Sequence, residues 1–239
     1  MIPTIFHVTH WKAGSQWIYH ILRKCLPDLI VPFDIDIERF ISKPIQEGKI
    51  YPTVYLTKEQ FDRLIMPPQW CRFIIIRDLR DTLVSAYFSL KFSHPVISPN
   101  ITKYRKQLNA MNISEGLVFL LKTWLPKSAA IQESWLDSGE PLIHYEDILK
   151  NDLEIVEPLL IYKCHLPVQR NVLREAIIKS RYEFMTNGRK QGEEDVTSHY
   201  RKGIMGDWRN YFDDDVKKVF KDRYQYLLNK TGYEAHSNW

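Results

Sequence analysis

The run Cys71-Arg72-Phe73-Ile74-Ile75-Ile76 constrains this chain more than any other stretch. A near-continuous series of apolar and β-branched residues suits a strand buried on both faces, and such strands belong to parallel sheets covered by helices. Parallel neighbours need crossover connections, so helical segments must alternate with strands. They do. Thr4-Ile5-Phe6-His7-Val8-Thr9, Thr53-Val54-Tyr55-Leu56 and Pro141-Leu142-Ile143-His144-Tyr145 read as further strands, and Leu29-Ile30-Val31-Pro32 as a short one. Helical spacing appears at Trp17, Ile18, Ile21, Leu22, Cys25 and Leu26, and again at Leu83, Val84, Tyr87, Phe88 and Phe92. The expected fold is α/β: a single domain over residues 1–239, with a central, mainly parallel sheet flanked by helices.

The first strand enters the first helix through Thr9-His10-Trp11-Lys12-Ala13-Gly14-Ser15-Gln16-Trp17. The first N–H groups of a helix lack internal partners and lie at the positive end of the macrodipole, so an anion is favoured there. Gly14 allows close approach of the backbone, Ser15 and Gln16 add donors, and Lys12 adds a mobile cation. The stretch therefore reads as a P-loop-like, anion-binding loop. It does not follow the Walker A order, because Lys12 precedes Gly14 instead of following it. A second strand-to-helix junction presents Arg77, with Ser85 further into the following helix. In open parallel sheets ligands sit at the carboxyl ends of strands, where Lys12 and Arg77 both fall.

Elsewhere, Thr57 and Gln60 have capping-box spacing for a helix over 58–66, and Pro95 to Asn109 reads as a polar loop. Residues 114–137 read as helical with a break at Pro126, and 146–162 and 168–179 as helices. Four of the nine glycines fall in the charged segment from Thr186 to Asp207, where the backbone must bend. Asp213-Asp214-Asp215 suits the start of a last helix, with Gly232 past its end.

A net charge of +4 suits an anionic ligand, but acids are interspersed and no basic run has interleaved aromatics, so no nucleic acid is expected. No apolar run reaches the length of a membrane span, and the apolar start lacks a cleavage site, so the expected location is cytoplasmic. The three N-glycosylation sequons are discounted accordingly. Cys25, Cys71 and Cys164 are odd in number and far apart, which suits buried thiols better than a disulfide framework or a zinc cluster. No metal is expected.

Three separated segments together resemble the sulfotransferases that use 3′-phosphoadenosine 5′-phosphosulfate (PAPS). The stretch from Thr9 to Trp17 resembles their phosphosulfate loop, T-Y-P-K-S-G-T-T-W. Arg77-Asp78-Leu79-Arg80-Asp81-Thr82-Leu83-Val84-Ser85 resembles R-N-P-x-D-x-x-V-S, and Arg201-Lys202-Gly203-Ile204-Met205-Gly206-Asp207-Trp208 fits R-K-G-x-x-G-D-W throughout. Tyr145-Glu146-Asp147 is similar to the family's Y-E-D. Ala13, Ser15-Gln16 and Asp78-Leu79 depart from the usual residues, at positions where backbone or other donors can serve.

The resemblance implies transfer of a sulfuryl group from PAPS to a hydroxyl or amine of an acceptor, expected to be a small molecule. Lys12, Ala13, Gly14, Ser15 and Gln16 would hold the phosphosulfate, and Arg77, Ser85, Arg201, Lys202 and Gly203 the 3′-phosphate. Trp17, Tyr145, Ser180 and Tyr182 would lie near the adenine. Lys12 would neutralise the leaving oxygen and His94 would serve as the base, with His10 as its rival. A non-catalytic phosphonucleotide-binding protein and a nucleotide-dependent kinase are the alternatives. The identity of the acceptor and the oligomeric state stay open.

Overall fold

The structure, a computed structural model, describes residues 2–34 and 36–239. The chain forms two compact units, Met1–Arg77 with Ala130–Met185 and Asp78–Ala129 with Thr186–Trp239.

The first unit holds a four-stranded, wholly parallel sheet in the order β2-β1-β3-β4. The strands are β1 (Thr4–Thr9), β2 (Ile50–Val54), β3 (Trp70–Ile76) and β4 (Leu142–His144). β1 is buried along its whole length and β3 over its last four residues, as two-sided burial demands. Helix α1 (Ser15–Cys25) places Ile18, Ile21 and Leu22 against Ile5, Phe73 and Ile75 on one face of the sheet. The helix Arg170–Ile178 packs beside α1. On the other face, Phe6 stacks on Tyr51 at 5.0 Å and meets Phe61 edge-on at 5.3 Å, and Phe61 in turn contacts Trp135 at 5.4 Å. From β1 the sheet grows first toward β2 and then, on the opposite side, toward β3. The β1–β3 boundary is therefore the switch point at which an open parallel sheet forms a crevice.

The second unit is helical. Helix Leu79–Phe88 is capped by Asp78, whose carboxylate accepts from the Arg80 N–H, and nine of its ten residues are buried. Ser85 is the exception. Helix Ile113–Thr123 starts with a capping box of Asn112 and Glu115, and helix Asp214–Lys230 with an Asp213 cap. Between Thr186 and Asp207 there is neither helix nor strand, and Gly188, Gly192, Gly203 and Gly206 all have positive φ.

Several elements differ from expectation. The second strand lies at Ile50–Val54, a few residues before the expected run. Leu29 to Pro32 is no strand: a short 3₁₀ turn covers Pro27–Leu29, and Ile30 makes a single bridge to Ile50. The capping box at Thr57 forms in full, but its helix ends at Phe61, because tight turns from there bury Phe61 and Leu64 together. Pro99–Asn109 is a helix, not a loop. It buries only Leu108 and so carries no apolar stripe, while Pro99 in its first turn presets φ. Residues 146–162 break into Tyr145–Lys150 and Asp152–Pro158, followed by a wide turn, Leu159–Lys163, closed by the Cys164 N–H on the Leu159 carbonyl. The break expected at Pro126 falls two residues earlier, at Trp124, between helices Ile113–Thr123 and Leu125–Ser134, and Pro126 sits in the first turn of the second, where its missing N–H costs nothing. Among the described residues no helix is long and apolar enough to cross a membrane.

Candidate functional site

At the end of β1 the backbone turns through two left-handed residues, Lys12 at φ 68° and Gly14 at φ 85°. Glycine enters that region freely, whereas lysine does so at a cost of roughly 1–3 kcal/mol, which persists only where the surroundings over-determine it. Those surroundings are visible. The Ala13 N–H bonds the His10 carbonyl at 3.3 Å, and the Arg77 guanidinium donates to the Lys12 carbonyl at 2.9 Å. Ala13 is fully buried beneath the turn. Helix α1 starts immediately afterwards, with Gly14 as its cap residue, no side-chain cap and no acid in its first turn. The loop therefore presents the positive end of a helix with a lysine before it.

His10 ties this loop to β3. Its Nδ1 faces the Trp11 carbonyl at 3.1 Å, so Nδ1 carries the proton, and Nε2 accepts from the Arg77 N–H at 3.2 Å. Burial is the main cause that pushes its pKa down to about 4, and the Arg77 charge adds to it. Both ring nitrogens are engaged and the ring is fully buried, so His10 links the loop backbone to the end of β3. His7 is likewise buried and pushed down to about 4 by burial, with its Nδ1 on the Pro52 carbonyl at 2.7 Å.

Tyr145, the first residue after β4, completes the cluster. Its ring lies 4.7 Å from the Arg77 guanidinium carbon and meets Trp17 edge-on at 6.0 Å. A Cβ on Gly14 would stand 2.7 Å from that ring, so glycine is required by contact as well as by φ. Trp17 is half-buried against the core, and its Nε1 is buried without a hydrogen-bond partner, as is the Ser180 Oγ. Tyr182 opens the short helix Tyr182–Met185, half-buried, and Gln16 is exposed. The Ser15 hydroxyl shares a 2.8 Å bond with the Tyr55 hydroxyl.

In the second unit, carboxylates orient Arg201 and Lys202 and fix the glycine loop that holds Gly203 to the helix that carries Ser85. Asp81 accepts from the Gly206 N–H at 2.6 Å and the Trp208 N–H at 3.0 Å, pinning the glycine loop to helix Leu79–Phe88. Asp207 accepts from Arg201, from Lys202 at 2.8 Å and from Asn210 at 2.8 Å. Burial alone would raise the Asp207 pKa, but these partners bring it below the usual value. Arg201 also pairs with Glu194 and lies 4.2 Å over the Phe88 ring. Burial would lower the Arg201 pKa, yet Asp207 and Glu194 raise it. Gly203 has φ 65°. Arg189 closes the loop from inside, donating to the carbonyls of Arg201 at 3.1 Å and Tyr200 at 2.8 Å. The matching signals in the sequence were the second Asp of Arg77-Asp78-Leu79-Arg80-Asp81 and the Asp of Gly206-Asp207-Trp208.

His94 follows helix Leu79–Phe88 through a wide turn, Ser89–Ser93, closed by its own N–H on the Ser89 carbonyl at 2.7 Å. Its Nδ1 donates to the Pro95 carbonyl at 2.8 Å. Its own carbonyl accepts from Arg105 at 2.6 Å. Among the described residues no group of three or more histidines, cysteines and acids is arranged to hold a metal ion.

The chain is 21% identical to human Sulfotransferase 1C2 over 93% of its length and 82% of that protein's, and 22% identical to Sulfotransferase 6B1 of Danio rerio over 97% and 80%. Its fold is similar to that of mouse sulfotransferase SULT7A1, solved with PAP, at a TM-score of 0.64 and 18% identity over 98% of this chain and 89% of that one. Retinol dehydratase, solved with retinol and PAP, gives 0.51 at 16% identity over 97% and 83%. The same dehydratase with androsterone and PAP gives 0.54 at 17% identity over 97% and 82%. At these identities the structural likeness is one of fold. The family model described as "Sulfotransferase domain" matches residues 66–232, well over half of the chain, and this chain belongs to that family.

Proposed function

We propose that this chain transfers the sulfuryl group of PAPS to a hydroxyl or amine of a small acceptor. The observation that carries this reading is the convergence of Lys12, Gly14, Arg77 and Tyr145 at the carboxyl ends of β1, β3 and β4, with the N-terminus of α1 directed from the same turn. The residues suit such a nucleotide. The loop N–H groups and Lys12 match a phosphosulfate, and the unpartnered Trp17 Nε1 and Ser180 Oγ are polar atoms that a base could satisfy, with Tyr145 and Tyr182 assigned nearby by the resemblance. Ser85, Arg201, Lys202 and the Gly203 N–H are assigned the 3′-phosphate on the strength of their motifs, since an arginine fork and close backbone suit that group.

Sulfuryl transfer runs in line. The acceptor oxygen or nitrogen bonds to sulfur, the bond from sulfur to the bridging phosphate oxygen breaks, and 3′-phosphoadenosine 5′-phosphate (PAP) leaves. Lys12 and the loop N–H groups neutralise the charge that builds on the leaving oxygen, the kind of stabilisation that counts most in the transition state. His94 takes the acceptor's proton on Nε2. An open recess lined by Trp11, Phe33, Asp34, Phe40 and Tyr55 begins at the loop itself, and its aromatic walls favour an apolar or aromatic acceptor. Retinol and androsterone, held by the dehydratase, are both apolar hydroxyl compounds.

Incubation with labelled PAPS and a panel of apolar alcohols, phenols and amines tests the reading. Label should pass to at least one acceptor, and His94→Ala should cut the rate by about 10²–10⁴ while PAP still binds. Tight PAP binding with no transfer to any acceptor would reject the enzyme in favour of a binding protein.

A further inference from the structure

Cys71 and Cys164 are 93 residues apart in sequence, yet their sulfurs lie 2.9 Å from each other. Both belong to the first unit, and both are free thiols. Cys71 is the second residue of β3, paired in register with Ile5, so its position is fixed by the sheet. Cys164 ends the wide turn Leu159–Lys163, and its N–H closes that turn on the Leu159 carbonyl at 3.0 Å. A turn with an extra residue is an irregular way to end a helical stretch, and such turns cluster where a side chain must be aimed. Here the aimed side chain is a thiol.

The two sulfurs are not equivalent. Cys71 is half-buried, whereas Cys164 is fully buried in the core. Lys163 and Arg72, the chain neighbours of the two cysteines, both pair with Glu140, Lys163 at 2.8 Å and Arg72 at 3.3 Å, which holds the lysine charge beside the pair. The hydrogen bond from Cys164 is the largest cause that brings the Cys71 pKa down, and Lys163 contributes to it, while the same bond and burial push Cys164 up. That is the arrangement of a nucleophilic thiol with a resolving partner. Cys25, half-buried, has its thiol pushed up to about 11 by burial and stands outside the pair.

We propose that Cys71 and Cys164 form a reversible dithiol–disulfide pair, oxidised by a small-molecule disulfide of the glutathione type. The Cys71 thiolate attacks one sulfur of the small disulfide, forming a mixed disulfide and releasing one thiolate. Cys164 gives up its proton and attacks the Cys71 sulfur, forming the internal disulfide and releasing the second thiolate. Two protein thiols lose two electrons and two protons, and one small disulfide becomes two small thiols. The bond then fastens the turn after Lys163 to the start of β3, the strand whose other end carries Arg77.

The test is titration of the whole chain in glutathione buffers of graded ratio, followed by alkylation and peptide mapping. At the oxidising end two of the three thiols should disappear, leaving Cys25 alkylated and a Cys71–Cys164 linked peptide. The melting temperature should rise and return on reduction, because the bond closes a long loop in the unfolded chain. Cys164→Ser should accumulate a stable glutathione adduct on Cys71, and Cys164→Ala serves if the serine variant folds poorly. Cys25→Ser should leave the linked peptide unchanged. Three alkylatable thiols at every ratio, or a wild-type protein that keeps glutathione on Cys71 beside a free Cys164, would overturn the proposal. The mapping of wild-type protein decides this whether or not the variants fold.

Discussion

The loop from His10 to Gly14 and the loop from Arg201 to Trp208 both present cations on irregular backbone, but they are ordered by opposite means. In the first, Arg77 and His10 brace the Lys12 and Ala13 backbone, and Tyr145 packs on Gly14, so main-chain bonds and aromatic surface set the geometry. In the second, carboxylates do it: Asp207 and Glu194 hold Arg201 and Lys202, and Asp81 holds the backbone of Gly206 and Trp208. A junction braced by neutral imidazole, with no acid in the first turn of α1, suits a ligand whose charge changes during reaction. Cations already paired with carboxylates are oriented in advance, and suit a phosphate that is held and not transformed.

Acidification should separate the two regions with the largest effect. His7 and His10 have folded pKa values near 4 and unfolded values near 6.5, so the unfolded chain binds their protons more readily. The stability they confer is complete above about pH 6.5, falls as pH drops toward 4, and loses no more below that. Each contributes about 3 kcal/mol across this window, because burial lowers its pKa from 6.5 to about 4. Asp207 is depressed instead, so its share is present above its unfolded 3.8 and is lost only at lower pH. Denaturant titrations at pH 7, 5.5 and 4 should show a steep loss that His10→Phe reduces by about half. A profile flat between pH 6.5 and 4 would contradict the buried neutral histidines.

Next comes Lys12→Ala. Removing one preorganised donor to a developing oxyanion costs about 10²–10³ in kcat, and PAP affinity should change much less, because the charge that Lys12 is proposed to meet grows in the transition state. Equal losses in turnover and PAP binding would make Lys12 a plain binding residue and erase the contrast between the two loops.

Asp81→Asn probes the other region. An amide can accept one of the two N–H bonds but turns donors toward the other, leaving a buried N–H unsatisfied, so stability should fall by about 2 kcal/mol in chemical denaturation. Turnover at saturating PAPS should stay near that of the parent. A stability change within about 0.5 kcal/mol would mean the glycine loop is held by other contacts.

These residues also show what a reader of the sequence can see. β3 was legible because six apolar-rich residues in a row have few other homes, and Lys12 and Arg77 because they follow strands. The capping box at Thr57 was legible too, since its chemistry is local. Helix Pro99–Asn109 was not, for it buries one residue and leaves no apolar periodicity to read. The His10 brace was not, because both of its hydrogen bonds end on backbone atoms, which carry no residue identity. Nor was the contact of Cys71 with Cys164, which depends on a turn one residue wider than a helix makes.

The smallest effect belongs to Ser85, and it bears most directly on the proposed 3′-phosphate contact. Ser85 is the one residue of helix Leu79–Phe88 that is not buried, on the same helix whose Phe88 ring carries Arg201 and whose Asp81 fixes the glycine loop. Truncation to alanine removes a hydroxyl and no packing, so the fold should keep its melting temperature within a degree or so. A hydrogen bond to a charged group contributes about 1.5 kcal/mol, so PAP should bind roughly tenfold more weakly to Ser85→Ala. AMP, which lacks the 3′-phosphate, should bind wild type and variant alike. Calorimetric titration of both nucleotides against both proteins isolates the difference, because any general damage to the nucleotide site would weaken AMP as well. If PAP and AMP weaken together, or if neither changes, Ser85 does not contact the 3′-phosphate and the second loop must hold it through Arg201, Lys202 and the Gly203 N–H without the helix.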